Sequence, residues 1–100
     1  MLHTVNKSPF DKTTLEACLR LSQAGSAVLM IEDGVYGALK GTRAEGMVKA
    51  ALQDREVYVL GPDLEARGMR ADAVIEGIKV VDYGGFVDLV AEKNTVQSWL

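Results

Sequence analysis

The sequence is poor in cysteine and histidine, the residues on which many redox and metal sites depend. Its 100 residues include one cysteine, Cys18, and one histidine, His3. A single cysteine excludes a disulfide within the chain, a CxxC redox pair and a cysteine-based metal cluster built by one chain alone. Any chemistry that Cys18 performs therefore requires a second molecule.

Clustered positive charge and long apolar runs are also missing. The formal net charge is −3, the isoelectric point is near 5.0, and the basic residues are scattered. Binding phosphates needs a clustered basic face, so we expect no direct contact with nucleic acid. No apolar run is long enough for a signal peptide or a membrane span, so we expect a cytoplasmic chain that makes no membrane contact.

Apolar residues, in contrast, are abundant for so small a chain. They make up 48% of the sequence, and mean hydropathy is +0.07. One hundred residues form one domain, residues 1–100, whose surface is large relative to its volume. A small domain with surplus apolar residues tends to bury them against a partner. The composition therefore predicts an oligomer, and the chain is expected to self-associate when expressed alone.

Residues 27–31 form the stretch around which the rest is organised. Five consecutive apolar residues between Gly25-Ser26 and Glu32-Asp33-Gly34 are typical of a strand buried on both faces of a parallel sheet. Strand-forming segments at 2–5, 56–60 and 78–81 alternate with helical patterns, and the tail 95–100 is compatible with an edge strand or an extended arm. This alternation predicts an α/β fold: one doubly wound, mainly parallel sheet with helices on both faces and flavodoxin-like layering.

Cap signals set the predicted helix ends. Ser8 or Asp11 caps a helix that starts near Pro9 and runs to about residue 24, and Asp82 caps another over residues 83–93. The other predicted helices span about 43–53, behind a capping box, and about 62–67, between Pro62 and Gly68. Short helical turns are predicted within 35–40 and 72–75.

The loops after the strands carry acids and no nucleotide-binding pattern. Neither GxGxxG nor GxxxxGK[ST] occurs, so we expect no nucleotide cofactor. Acids at strand ends could hold Mg²⁺, as in receiver domains. Helix capping accounts for the same positions without a metal, and it is the favoured interpretation. The acids concerned are Glu32, Asp33, Asp63 and Asp82.

Cys18 is the one residue with the potential for nucleophilic chemistry. It shares the apolar face of the first helix with Leu15 and Leu19, so it faces the sheet or its edge. A free cysteine on an apolar face usually behaves as a small hydrophobe, which favours an inert role. The isolated His3, on the first strand, is predicted to be structural.

Several blocks of the chain, read together, resemble the DsrH/TusB family of sulfur-relay proteins. The similarity runs in order over nearly the whole length. The blocks are MLHTVNKSPF (1–10), LMIEDGVY (29–36), YVLGPDLEARG (58–68), VDYGGFVDL (81–89) and the closing Trp99-Leu100.

This resemblance implies a DsrE-like fold and a cytoplasmic heterohexamer containing two copies each of three homologous subunits. The partners would be DsrE/TusD-like and DsrF/TusC-like subunits and, through the complex, a DsrC/TusE-like sulfur acceptor. In the Dsr branch the assembly relays persulfide sulfur in sulfur oxidation. In the Tus branch it supplies sulfur for 2-thiouridine in tRNA.

Cys18 bears on the choice between these branches. The principal active cysteine of the family belongs to the DsrE/TusD-like subunit, but DsrH-type chains carry a further cysteine in the first helix, which Cys18 matches. The resemblance therefore favours the Dsr branch, with Cys18 as a candidate sulfur acceptor. The alternatives are a TusB-like subunit or a structural subunit in which Cys18 only packs.

Overall fold

The central strand is fully buried, as its apolar run predicts. In the computed structural model, which describes all 100 residues, β2 (Ala27–Met30) lies between β1 (Leu2–Val5) and β3 (Glu56–Leu60). Every residue of β2 is 0% exposed. Ile31, predicted as its last residue, lies beyond the strand, with its N–H donating to the Val5 carbonyl at 3.0 Å.

The five strands form one parallel sheet in the order β4 (Lys79–Val81), β3, β2, β1, β5 (Val96–Trp99). Val28 of β2 is aligned with His3 of β1 and Val57 of β3. The tail is an edge strand paired with β1, which decides between the two predicted forms. The predicted α/β sheet with helices on both faces is therefore confirmed.

The helices cover the two faces unequally. The connections from β1 to β4 all advance in one direction, and right-handed crossovers then place their helices on one face. These are α1 (Thr14–Leu21), a 3₁₀ helix (Glu32–Ala38), α2 (Glu45–Ala51) and α3 (Gly61–Ala66), which share a core of 16 buried residues with the sheet. The last connection reverses direction, so α4 (Tyr83–Lys93) lies alone on the other face, over a cluster of five buried residues.

The start of the first helix differs from the prediction. α1 begins at Thr14, and the expected cap, Ser8, instead closes a turn. The Ser8 carbonyl accepts hydrogen bonds from the backbone N–H groups of Asp11 (3.2 Å) and Lys12 (3.1 Å), and its hydroxyl accepts one from Phe10 (3.2 Å). The helix also ends early, at Leu21, so residues 9–13 and 22–24 were wrongly assigned to it.

The predicted cap of α4 forms, whereas the predicted capping box before α2 forms with other partners. Asp82 accepts a hydrogen bond from the Gly85 N–H at 2.8 Å, and the predicted bounds of α4 are confirmed. In the capping box, the Thr42 hydroxyl accepts from Ala44 N–H, but the Glu45 carboxylate accepts from Gly41 and α2 begins two residues late. The two short turns are 3₁₀ helices, at Glu32–Ala38 and Ala71–Ala73.

Candidate functional site

The loops at the carboxyl edge of the sheet are joined by close backbone contacts. The 3₁₀ helix after β2 passes over the end of β1, where a Cβ built on Gly34 would lie 2.1 Å from the Val5 carbonyl oxygen. Only glycine fits at this position, since any side chain would overlap the backbone of β1. The loops that follow β1 and β2 are therefore held in a fixed relation.

An acid and arginine network joins the loop after β2 to α3. Glu32 has a positive φ of 50°, and its N–H donates to the Asp63 carboxylate at 2.6 Å. The Arg67 guanidinium contacts Asp33 at 2.9 Å and donates to the Asp63 carbonyl at 3.2 Å. Sequence reasoning missed this network. The four-residue spacing of Asp63 and Arg67 was its only local signal.

Three of the four acids that could hold Mg²⁺ have partners within the chain. Asp33 pairs with Arg67, Asp63 accepts from Glu32, and Asp82 caps α4. No group of three or more Asp, Glu, His or Cys side chains is arranged to hold a metal ion. Asp33, Asp63 and Asp82 therefore already have hydrogen-bond or ion-pair partners within the chain. Capping is confirmed for Asp82, whereas Asp33 and Asp63 connect different elements.

Cys18 lies where the helical pattern placed it, on the sheet-facing side of α1. Its side chain is 0% exposed and belongs to the larger core with Leu15 and Leu19. Burial raises the pKa of the Cys18 thiol to about 11, although the positive charge of Arg55 partly opposes this. At neutral pH the thiol is therefore protonated, and it is not accessible to solvent. The role of Cys18 as a sulfur acceptor stays a prediction.

His3 is buried within β1 and bonded to the last strand. Its Nδ1 atom accepts a hydrogen bond of 3.0 Å from Nε1 of Trp99. Burial is the main cause that lowers the pKa of His3, followed by the positive charges of the N-terminus and Arg55. The side chain therefore acts as a neutral structural acceptor.

A groove of about 560 Å³ lies between the turn after β1 and the start of α2. The Arg43 guanidinium lies over the Phe10 ring, 5.3 Å from its centroid, in a cation–π contact. Besides Arg43, the lining charges are Asp11, Lys12 and Glu16, so the two signs balance. The groove has no excess of one charge that would select a ligand.

The outer side of α4 carries an exposed apolar row. Tyr83, Val87 and Val90 are 60%, 66% and 39% exposed, and they line one side of the helix at spacings of four and three residues. We call these three residues the outer stripe. Phe86 and Leu89, which lie next to this row on the helix surface, pack on the sheet.

Comparison with known families and proteins identifies the family. The model of the family described as "DsrH like protein" matches residues 7–96. The chain belongs to the DsrH-like family. The resemblance expected from the sequence blocks is confirmed.

Three curated relatives of this DsrH-like chain are named TusB. The Erwinia tasmaniensis protein is 41% identical in an alignment of 100 residues that covers 99% of this chain and all of the relative. The proteins of Pectobacterium parmentieri and Shigella flexneri are 35% and 36% identical, with the same coverage of both chains. These names favour the TusB-like alternative over the Dsr branch.

Solved structures share the fold of the DsrH-like chain at low sequence identity. The ychN protein of E. coli superposes with a TM-score of 0.81 at 18% identity, covering 97% of both chains. A protein of unknown function from Methanobacterium thermoautotrophicum has a TM-score of 0.76 at 19% identity, covering 97% of this chain and 96% of its own.

None of the helices combines the length and the hydrophobicity that a membrane span requires.

Proposed function

We propose that this chain is the TusB-like subunit of a cytoplasmic sulfur-relay heterohexamer that supplies sulfur for 2-thiouridine in tRNA. The observation that carries the proposal is the identity of 35–41% to proteins named TusB, over the full length of both chains. The other subunits would be TusD-like and TusC-like chains, and sulfur would leave the complex on a TusE-like acceptor.

The exposed apolar surface supports a role inside an assembly. Val87 and Tyr83 are more than half exposed, although Phe86 and Leu89 of the same helix are packed on the sheet. An apolar arc wider than the part that packs on the sheet is typical of a helix that contacts a further surface. The chain therefore contributes a binding surface, and the principal active cysteine is expected on a partner subunit.

For Cys18 we propose packing as the resting role, with sulfur transfer only after α1 opens. To accept sulfur, the Cys18 thiolate would attack the outer sulfur of a partner's persulfide. The S–S bond of that persulfide would break, leaving the partner's thiolate, and Cys18 would hold the outer sulfur. The 0% exposure of Cys18 opposes this step in the closed structure.

The function is tested by deleting the gene in its own host and measuring 2-thiouridine in total tRNA by mass spectrometry. We expect the nucleoside to disappear and to return with a plasmid copy. Loss of sulfur oxidation with normal 2-thiouridine would favour the Dsr branch instead. If neither process changes, the proposal is wrong.

Native mass spectrometry of the tagged chain from that host tests the assembly. We expect two related small chains to accompany it in equal amounts. Treating the Cys18→Ser complex with a sulfur donor and measuring intact mass then tests the cysteine. A sulfur adduct found on this subunit in the wild type and absent in Cys18→Ser would support the acceptor role.

A further inference from the structure

The last strand, β5, has few contacts besides the backbone bonds that join it to β1. It lies at one edge of the sheet, and three of its four residues are exposed. No residue from 94 to 100 takes part in an ion pair. We call residues 95–100 the strap. An exposed segment that is paired on one side only opens at a lower cost in free energy than the core of the sheet.

Trp99 is the side chain that anchors the strap. It is the only apolar residue of the strap that packs against the buried core, and its Nε1 atom donates to Nδ1 of His3 at 3.0 Å. The one other side-chain hydrogen bond of the strap, from Thr4 Oγ1 to Ser98 Oγ, is longer, at 3.3 Å. Attachment of the strap through side chains therefore depends mainly on the bond between Trp99 and His3.

The surroundings of His3 disfavour a proton on its ring while the strap is bound. The charges that act on His3 are both cations, the N-terminal amine and the Arg55 guanidinium. The residues aligned with it on the neighbouring strands, Val28 and Gln97, carry no charge. From α1, the titratable group on the sheet-facing side is the neutral thiol of Cys18. No carboxylate forms an ion pair with His3, so a buried imidazolium would have no compensating charge.

We propose that the strap is a pH-sensitive device: it leaves the sheet while β1 to β4 stay folded, and protonation of His3 promotes its release. An imidazolium cannot accept the bond from Trp99, and release allows water to hydrate it. The pKa of His3 is lowered while it is buried, so the released form binds the proton more readily and gains population as the pH falls below about 6.5. Release uncovers the backbone N–H and C=O groups at the edge of β1. The device needs no sulfur chemistry and goes beyond the proposed function.

Hydrogen exchange of the full chain, measured by NMR, tests whether the strap opens separately. Trp99 is the only tryptophan, so its Nε1–H gives a single indole resonance. At about pH 7.5 we expect this N–H to be at least about 100-fold less protected than the backbone amides of β2. Equal protection at the two places would mean that the strap leaves only when the whole chain unfolds, and would overturn the proposal.

The same exchange at about pH 5.5 tests the trigger. We expect the protection of the Trp99 indole N–H to fall by a further factor of about 3 to 10. The upper limit follows because, one pH unit below 6.5, a hydrated imidazole is about ten times more often protonated than neutral. His3→Gln retains an acceptor that does not titrate, so its indole protection should be the same at both pH values. The matched control Ser98→Ala removes the weaker bond and should respond to pH like the wild type.

An equal pH response in His3→Gln would show that His3 is not the trigger. Because His3 is buried, its substitution could affect folding, so the wild type provides a second measurement. His3 is the only histidine, and its imidazole C–H resonances report its protonation directly. The loss of Trp99 indole protection should follow this titration. Protonation of His3 without any change at Trp99 would overturn the proposal.

Discussion

Nδ1 of His3 accepts a hydrogen bond from Nε1 of Trp99, and this 3.0 Å contact joins the first strand of the sheet to the last. The ring centroids are 6.1 Å apart, with the planes tilted by 46°. An imidazolium carries a proton on both nitrogens and cannot accept this bond. The attachment of β5 to β1 is therefore sensitive to protonation of His3.

Protonation of His3 should make the chain less stable in mild acid. The pKa of His3 is lowered in the folded chain from its ordinary value of 6.5, so the unfolded chain binds more protons once the pH falls below that value. The stabilisation that neutral His3 provides is complete above the pKa that His3 has in the unfolded chain. It is lost as the pH falls from there toward the lower pKa of His3 in the folded chain. Urea unfolding followed by Trp99 fluorescence, from about pH 8 to about pH 5, measures this loss.

His3→Gln is the control for that experiment, since an amide oxygen accepts a hydrogen bond but does not titrate. We expect its free energy of unfolding to depend less on pH in the same range. Equal pH dependence in wild type and His3→Gln would show that other groups cause the loss.

Gly34→Ala should be among the most destabilising single-methyl additions in the chain. The added Cβ would lie 2.1 Å from the backbone oxygen of Val5, and neither the strand nor the 3₁₀ helix can move without breaking its own bonds. We expect a loss of about 3 kcal/mol or more in the free energy of unfolding.

Gly46→Ala provides a matched comparison. Gly46 lies inside α2, and its added Cβ would meet no atom within 4 Å. Alanine is the better helix former, so we expect a gain of about 0.5 to 1 kcal/mol in urea unfolding. A Gly34→Ala variant as stable as Gly46→Ala would contradict the close approach of β1 and the 3₁₀ helix.

Cys18 should react slowly with iodoacetamide until the chain unfolds. Burial raises the pKa of the thiol to about 11, so the reactive thiolate is scarce at neutral pH, and burial also slows access of the reagent. Labelling is followed by intact mass in buffer and in urea, with a short cysteine peptide as the reference. Native labelling as fast as that of the peptide would mean that α1 opens readily.

Asp63 should contribute more to stability than its neighbour Asp33. Asp63→Ala removes the acceptor of the Glu32 N–H at a residue with positive φ, and we expect a loss of about 1 kcal/mol. Asp33→Ala removes only a partly exposed ion pair with Arg67, which is worth about 0 to 0.5 kcal/mol. Thermal unfolding of the two variants compares them, and a larger loss for Asp33→Ala would contradict this ranking.

Elements with local signals were predicted closely. The bounds of α4 are those predicted from the sequence, because Asp82 caps its first turn and Asn94, with φ of 66°, ends it. The helix α3 begins one residue before its predicted start at Pro62 and ends near Gly68, whose φ is +72°. In these segments the residues that begin and end the helix are adjacent to it in sequence.

The start of α1 was predicted wrongly because its decisive contacts are distant in sequence. Ser8 and Pro9 form an acceptable cap and first helical residue. In the folded chain, however, Ser8 is buried, and Pro9 lies close to Gly37, where a built Cβ would be 3.6 Å from the proline ring. Packing against the 3₁₀ helix therefore favours a turn where local preference favours a helix.

Local residue patterns alone determined the alternation of strands and helices, the cap of α4 and the side of α1 on which Cys18 lies. Strand order was decided by tertiary structure, because the pairing of β5 with β1 joins residues more than 90 positions apart. That pairing makes the connection from β4 to β5 run back across the sheet. The helix in this connection, α4, therefore lies alone on its face. The buried depth of Cys18 and the exposure of Val87 follow from this arrangement, since both depend on which elements cover a face and not on the order of neighbouring residues.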